Sequence, residues 1–357
     1  MKENLIMVNG IIVEKDKAQI SPFDRGLLFG DGVFEITPVY HGKPLDTEKH
    51  MENLFNNVVQ MRIPVVNTVD ELVELVEDMA SFTEMGDGEI YTQVTRGAGP
   101  YELNFPEQCR PLLLMQTVPV DRAALAARRA AGVNLMTVPD ERPANRKFNV
   151  LNRVDEVMAK HTAAVGRCYD ALFVKGDRIT EATDSAFLLV KDEMLWTAPD
   201  KEVHENLTRS LIKEQLAKQF DMQVVEKSFT KDFALKAEEA FLCGPRCEIM
   251  PVVKLDRRPI GEGRPGPLTL KLQQALEEYI RKDTAKKLDR SGRRTGNGVW
   301  GTGTTGRGKW YGPPCCWPLR PSCSGSACCC RCRLSRPCCS SAPSSTCACA
   351  CPCGRAA

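Results

Sequence analysis

The stretch RKFNVLNRVDEVMAKH, residues 146–161, carries the residues whose types bear most directly on chemistry. A lysine amine attacks carbonyls and shuttles protons, whereas an asparagine carboxamide does neither near neutral pH. Lys147 and Asn149 stand two apart. In an extended stretch both face one side, about 6.6 Å apart along the strand. Lys147 reads either as a solvated strand lysine beside Arg146 or as an amine presented to a pocket. Leu207 and Thr208, in NLTRS, open a helical pattern. The N–H groups and dipole of a helix start favour an anion such as phosphate, and Thr208 adds a hydroxyl. The alternative is an ordinary helix cap. Cys243 and Cys247 have CxxxC spacing, but a lone pair reads more simply as buried thiols near a strand end than as a metal site. His41, His50, His161 and His204 are scattered, without HxH or HxxxH, so a histidine metal site and a Ser-His-Asp triad lack support. No metal is expected.

The elements that must position these residues alternate between strands and helices. MVNGIIVEKDKAQIS alternates apolar and polar around Asn-Gly and predicts a hairpin. FDRGLLFGDGVFEITPVYHGKPL reads as a Gly-rich turn and a strand pair turning at His41-Gly42. Apolar residues at 51, 54, 55, 58, 59 and 61 have helical spacing, and 70–81 is a second helix. EIYTQVTRGAG and PLLLMQTVPV are strands, and VDRAALAARRAAG links two domains. VNLMTVP and RKFNVLN are extended, and 153–165 is helical. YDALFVKGDRITEA, AFLLVKDEMLWTAP, AEEAFLCG and IMPVVKLDRRPIG supply further strands around a helix at NLTRSLIKEQLAKQF. Strands dominate each half, which predicts an α+β class rather than a βαβ repeat. The expected division is 1–118, a linker at 119–125, a larger domain at 126–283 and a tail from 284. GDG at 30–32 lies between strands and is not a dinucleotide fingerprint.

Composition shifts abruptly near Asp289. From Arg290 onward there is no Asp or Glu, and this tail holds 10 of the 48 Lys and Arg. The body keeps 38 basic against 46 acidic residues, a net of −8. That balance argues against nucleic acid or a membrane surface as partner. Thirteen of the 17 cysteines lie between Cys315 and Cys353. Thiolates are soft ligands for zinc or copper(I). Yet the Pro, Arg, Gly, Ser and Cys mixture, without apolar period, fits disorder or out-of-frame translation of a GC-rich gene better. Four scattered body cysteines suit a reducing cytoplasm. No apolar run reaches 18 residues, so no membrane span is expected, and MKENLIMVNG does not read as a signal peptide.

Several blocks together resemble the class IV aminotransferases, the fold-type IV pyridoxal phosphate (PLP) enzymes. They are VNG at 8–10, SPFDRGLLFGDGVFE at 21–35, YTQVTRG at 91–97, VMAKHTA at 157–163, RITEATDSAFLLV at 178–190, NLTRSLI at 206–212 and RPIGEGRPGPLTLKL at 258–272. They follow the family order and are most similar to its D-amino-acid branch. The resemblance implies a two-domain α+β fold, a homodimer with its pocket at the domain interface, PLP, and an amino acid or 2-oxo acid as substrate. It places Glu181 at the pyridine nitrogen, Leu207 and Thr208 at the phosphate, and Thr183 and Ser185 as weaker phosphate partners. It also exposes departures. Asn149 stands at the position of the lysine that binds PLP covalently, and Asn53 at that of a phosphate-binding arginine. Tyr101 and Leu103 replace an arginine and a histidine for the substrate carboxylate. Phe34 replaces a tyrosine, and Arg246 falls near a threonine of the phosphate cup.

The favoured expectation is a divergent member that does no ordinary transamination, with PLP held non-covalently or absent, or with another phosphate or carboxylate ligand. A working transaminase in which Lys147 stands in for the lysine and Arg246 for the lost guanidinium is the alternative. Different chemistry in the same pocket, bordered by Tyr101, Glu102, Arg246, Cys243 and Cys247, is another. A non-catalytic structural or interaction protein is the last.

Overall fold

Alternating side chains and a left-handed bend build the first hairpin. β1 (Leu5–Val8) pairs antiparallel with β2 (Ile11–Glu14), and Val8 stands opposite Ile11. Asn9 and Gly10 both take positive φ, 50° and 81°, as a two-residue hairpin turn requires. The computed structural model describes residues 4–143 and 148–294, with side chains described as far as residue 285. α1 (Arg25–Phe29) follows, capped by Asp24, which accepts from the Gly26 N–H at 2.8 Å. This helix is too short to show a period, and the sequence reading has only a turn there. Gly30 ends α1 rather than opening a helix.

β3 (Gly32–Tyr40), β4 (Lys43–Pro44), β5 (Gly88–Thr95) and β6 (Leu112–Pro119) complete a six-stranded sheet of order β2-β1-β6-β5-β3-β4. α2 (Thr47–Gln60) and α3 (Val69–Phe82) cover one face. Met51, Leu54 and Val58 of α2 and Leu72, Val76 and Met79 of α3 pack on Val33, Val39, Ile90 and Met115. Burying each large apolar side chain contributes about 1.5–3 kcal/mol. Thr68 and Glu71 form a reciprocal capping box at the start of α3.

The segment expected to link the two halves is mostly helix: α4 (Arg122–Ala131) crosses from β6 into the second sheet. That sheet contains β7 (Val133–Pro139), β8 (Asp170–Lys175), β9 (Arg178–Ala182), β10 (Ala186–Lys191), β11 (Met194–Thr197), β12 (Val224–Glu226), β13 (Phe229–Thr230), β14 (Glu239–Gly244), β15 (Glu248–Leu255) and β16 (Arg258–Pro259). Its order is β12-β11-β10-β14-β15-β7-β8-β9-β13, with β16 on β15. α5 (Val154–Val165) packs on β8 through Ala159 and Ala163. The NLTRS helix begins as α6 (Leu207–Leu211) and continues through a π turn at Ile212–Leu216 and a 3-10 turn at Ala217–Phe220. α7 (Lys231–Leu235) is one short turn. α8 (Pro267–Arg294) starts at a proline, and the Glu239 carboxylate accepts from its Leu268 and Thr269 N–H groups at 2.9 and 2.7 Å. α8 runs past 283, where the tail is expected to begin, as far as Arg294. The cysteine-rich run lies outside the described residues, as does Lys147.

The entrance to β3 is fixed by charge. Asp31 accepts from Arg25 Nε at 2.8 Å and from Arg96 Nε and Nη2 at 2.8 and 3.0 Å. Arg96 also donates to the Met61 and Arg62 carbonyls and stacks on Phe105. Burial pushes the Asp31 carboxyl up, but the two guanidiniums outweigh it and hold it below its ordinary value. Asp31→Asn leaves two buried guanidiniums short of their counter-charge. It is expected to cost about 3–5 kcal/mol, read as a lower urea midpoint at unchanged slope.

Candidate functional site

A cleft opens between the two sheets. Its first chamber is lined by Phe34 and Glu35 of β3, by Asn149 and Arg153, by the 181–185 bend between β9 and β10, and by His204. A second chamber reaches Asn53, Lys49, Thr208 and Glu248. His50, Glu205, Leu207 and Pro245 line both.

Asn149 is placed by backbone pairing along the start of β3. The Phe34 N–H donates to the Asn149 carbonyl at 2.8 Å, Val150 bridges Val33, and the Leu151 N–H donates to the Gly32 carbonyl at 3.0 Å. The carboxamide of Asn149 points toward Glu35, with Nδ2 3.5 Å from Oε2. Glu35 gathers two closer partners from α2: His50 Nδ1 at 2.8 Å and Asn53 Nδ2 at 2.7 Å. His50, Asn53 and Asn149 thus converge on one buried carboxylate. Sequence reading counts His50 only among scattered histidines and assigns Glu35 nothing. Residues 35 and 50 are brought together by sheet-helix packing, which no local spacing records.

Glu181 is buried in the first chamber. Its Oε1 accepts from Arg142 Nη1 at 2.9 Å and bonds His204 Nδ1, while its Oε2 accepts from the His204 N–H at 3.0 Å. Arg142 is clamped in turn by Asp140 at 2.9 Å through both Nε and Nη2, and lies 4.0 Å over the Phe173 ring. Burial pushes the Glu181 carboxyl up, but His204 and then Arg142 outweigh it, and the net shift is down. Neither partner carried a signal in the sequence: Arg142 is one arginine of DERPANR, and His204 follows no metal or triad spacing.

The other candidate residues fall in different places. Thr183 donates its hydroxyl to Asp170 at 2.6 Å, and Ser185 Oγ lies 3.3 Å from Cys247 Sγ. Leu207 and Thr208 open α6, where the Asn206 side chain accepts from the Arg209 N–H at 2.9 Å. Phe34 is buried, stacked on Tyr91, with the Arg153 guanidinium 5.0 Å over its ring. Arg246 is held by Glu89 through Nε at 2.8 Å and by Asp184 through Nη1 at 3.0 Å. Tyr101 and Leu103 are 78% and 85% exposed on a loop and line neither chamber. Burial pushes the Cys247 thiol up to about 12 and the Cys243 thiol well above its ordinary value, so both stay protonated near neutral pH. Among the described residues no group of three His, Cys, Asp or Glu is arranged to hold a metal. No helix among them is long and apolar enough to cross a membrane.

Carboxylates dominate the second chamber: Asp46, Glu52, Glu205, Glu214 and Glu248 against Lys49. Lys49 is itself 3.1 Å from Asp46 and 3.2 Å from the Tyr279 hydroxyl. Burial and the neighbouring Glu35 push the Glu205 carboxyl up.

An antiparallel sheet and a mixed one facing each other across a cleft, with a buried carboxylate lining it, define a fold-type IV architecture. The family described as amino-transferase class IV matches residues 32–255. The D-alanine aminotransferase of Staphylococcus aureus (strain N315) is 32% identical over 277 residues, covering 77% of this chain and 97% of the relative. That of Bacillus licheniformis is 29% identical over 284 residues, covering 79% and 99%. Among solved structures, the Escherichia coli branched-chain amino acid aminotransferase superposes with a TM-score of 0.72 at 24% identity, covering 78% of this chain and 95% of that one. The branched-chain enzyme of Thermobaculum terrenum, in its PLP form, gives 0.69 at 22% identity, covering 78% and 94%. The chain belongs to the class IV aminotransferases.

Because the Glu181 carboxyl is held below its ordinary pKa, it contributes stability above about 4.5 that is lost as the pH falls through the lowered value. Glu181→Gln is expected to be about 3–5 kcal/mol less stable at pH 7. Urea unfolding at pH 7 and at pH 3.5 should show that gap narrowing in acid.

Proposed function

We propose that this chain keeps the class IV fold and cleft but does not carry out ordinary amino-acid:2-oxo-acid transamination. The observation that carries the reading is the Glu35 cluster: Asn149 and Asn53, standing where the resemblance places the PLP lysine and the phosphate arginine, both turn to Glu35. Loss of a positioned base alone costs roughly 10²–10⁴ in rate, and loss of the covalent anchor adds to it. The remaining donors suit PLP poorly. Glu181 already takes three bonds from Arg142 and His204. A phosphate dianion in the second chamber would meet five carboxylates and one engaged lysine. Arg246 is an unsuitable substitute guanidinium, being shared between Glu89 and Asp184. On this reading PLP is weakly held or absent, and the cleft favours a small amino compound over a phosphate ester or 2-oxo acid. Glu35 would then orient His50 as an acid-base group facing the cleft.

A working transaminase is the second reading, favoured by the D-alanine aminotransferases 32% identical to the chain. It requires an amine such as Lys147. The test is to add PLP, reduce with borohydride and map any pyridoxyl adduct by mass spectrometry. No label is expected on the parent, whereas Asn149→Lys combined with Asn53→Arg should gain a visible absorbance band and a label at position 149. A stoichiometric label on Lys147 would overturn the first reading.

We also propose a homodimer in the cytoplasm. Support comes from exposed apolar side chains on α1 and the 101–105 loop: Leu27, Tyr101, Leu103 and Phe105. Leu27→Asp with Leu103→Asp is expected to halve the mass seen by light scattering after size exclusion. An unchanged mass would remove this face from the interface.

A further inference from the structure

Five polar side-chain atoms buried in the first lobe have no hydrogen-bond partner among the described residues: Thr37 Oγ1, Thr92 Oγ1, Thr117 Oγ1, Asn53 Oδ1 and Asn57 Nδ2. Their residues are at most 4% exposed. Strand parity puts them in one layer. His50 and Asn53 of α2 bond Glu35, so the Glu35 face of β3 is turned toward α2. Thr37 is two residues on and shares that face. Thr92 stands opposite Glu35, and Ile90 stands opposite both Thr37 and Thr117. Residues paired across strands point the same way. Asn57 follows Asn53 by one helical turn, on the same side of α2. Apolar side chains of Met51, Leu54, Ile90 and Met115 surround the layer.

Buried polar groups are rarely left unpaired, and an unmade bond is costly. The chemistry of the five narrows what satisfies them. A carboxylate only accepts, so Glu35 fixes the Asn53 amide with Nδ2 toward it and Oδ1 away. Asn53 Oδ1 therefore needs a donor. Asn57 Nδ2 needs an acceptor, and three hydroxyls take either. A cation cannot serve Asn57, and an anion cannot serve Asn53. Water both donates and accepts, and buried water characteristically satisfies polar groups that side chains leave unpaired. We propose that the layer between α2 and the first sheet binds a line of ordered water that ends at Glu35. Glu35 and His50 also line the cleft. The line thus runs from the interior of the first lobe to two groups on the cleft wall.

The test uses the full chain. Water oxygen-17 magnetic relaxation dispersion counts internal waters that outlast molecular tumbling. The parent should show them, and Thr92→Val and Thr117→Val should each lower the count. Valine keeps threonine's shape and removes the hydroxyl. If water is bound there, each variant strands it, and the unfolding equilibrium constant should rise about five- to ten-fold. If the layer is dry, removing an unpaired hydroxyl lowers that constant instead. More stable variants, an unchanged water count in both, or no long-lived water in the parent would overturn the proposal. The parent measurement does not depend on either variant folding.

Discussion

A carboxylate buried between two packed sheets must be paired, and two such carboxylates hold this molecule together. Glu89 of β5 takes the Arg246 guanidinium from the bend between β14 and β15. Glu248, at the start of β15, takes Arg122 at 2.8 Å and Arg129 from α4, and the Tyr40 hydroxyl at 3.1 Å from β3. Each bridge joins the first lobe to the second. Glu248 sits at φ 55°, a conformation costly for a non-glycine residue, which its three partners hold in place. Removing Glu248 itself takes the shared counter-charge from Arg122 and Arg129. These pairs lie beside the cleft, whose lining includes β3 and the bend residues Gly244 and Pro245.

The same pairing rule shapes what the cleft can hold. Arginines near it are already engaged: Arg142 by Asp140 and Glu181, Arg153 and Arg246 by Asp184. Their charge is spent on fixing protein groups rather than offered to an anion. What remains toward the second chamber is mainly carboxylate. On the reading proposed above, these engaged arginines position protein groups and leave little positive charge for a phosphorylated ligand.

The legible part of the fold was its local periodicity. Val8-Asn9-Gly10-Ile11 specifies its own hairpin, and the apolar spacing of α2 and α3 follows the faces they bury. Blocks such as RITEATDSAFLLV carried the family resemblance, and the 181–185 bend within it lines the cleft. What stayed hidden depends on pairing across long separations. Glu35 meets Asn149 from 114 residues away, and His204 meets Glu181 across a strand hairpin. Polar threonines at 37, 92 and 117 look like ordinary strand residues until register stacks them. α1 and α7, of five residues each, are shorter than the period that would announce them.

Strand order also dictates when each half can form as the chain emerges from a ribosome. The first sheet needs nothing beyond β6, so its strands and covering helices are all synthesised by residue 119. The second sheet is different. Its central strands, β14 and β15, are among the last to be made, and β15 pairs in parallel with β7, more than 100 residues earlier. Until Leu255 has emerged, β7, β8 and β9 on one side and β10, β11 and β12 on the other lack the strands that join them. Pairing over such separations is slow, and it leaves edges exposed during synthesis. The lobe carrying Glu181 is therefore the half whose sheet is completed last while the chain is being made.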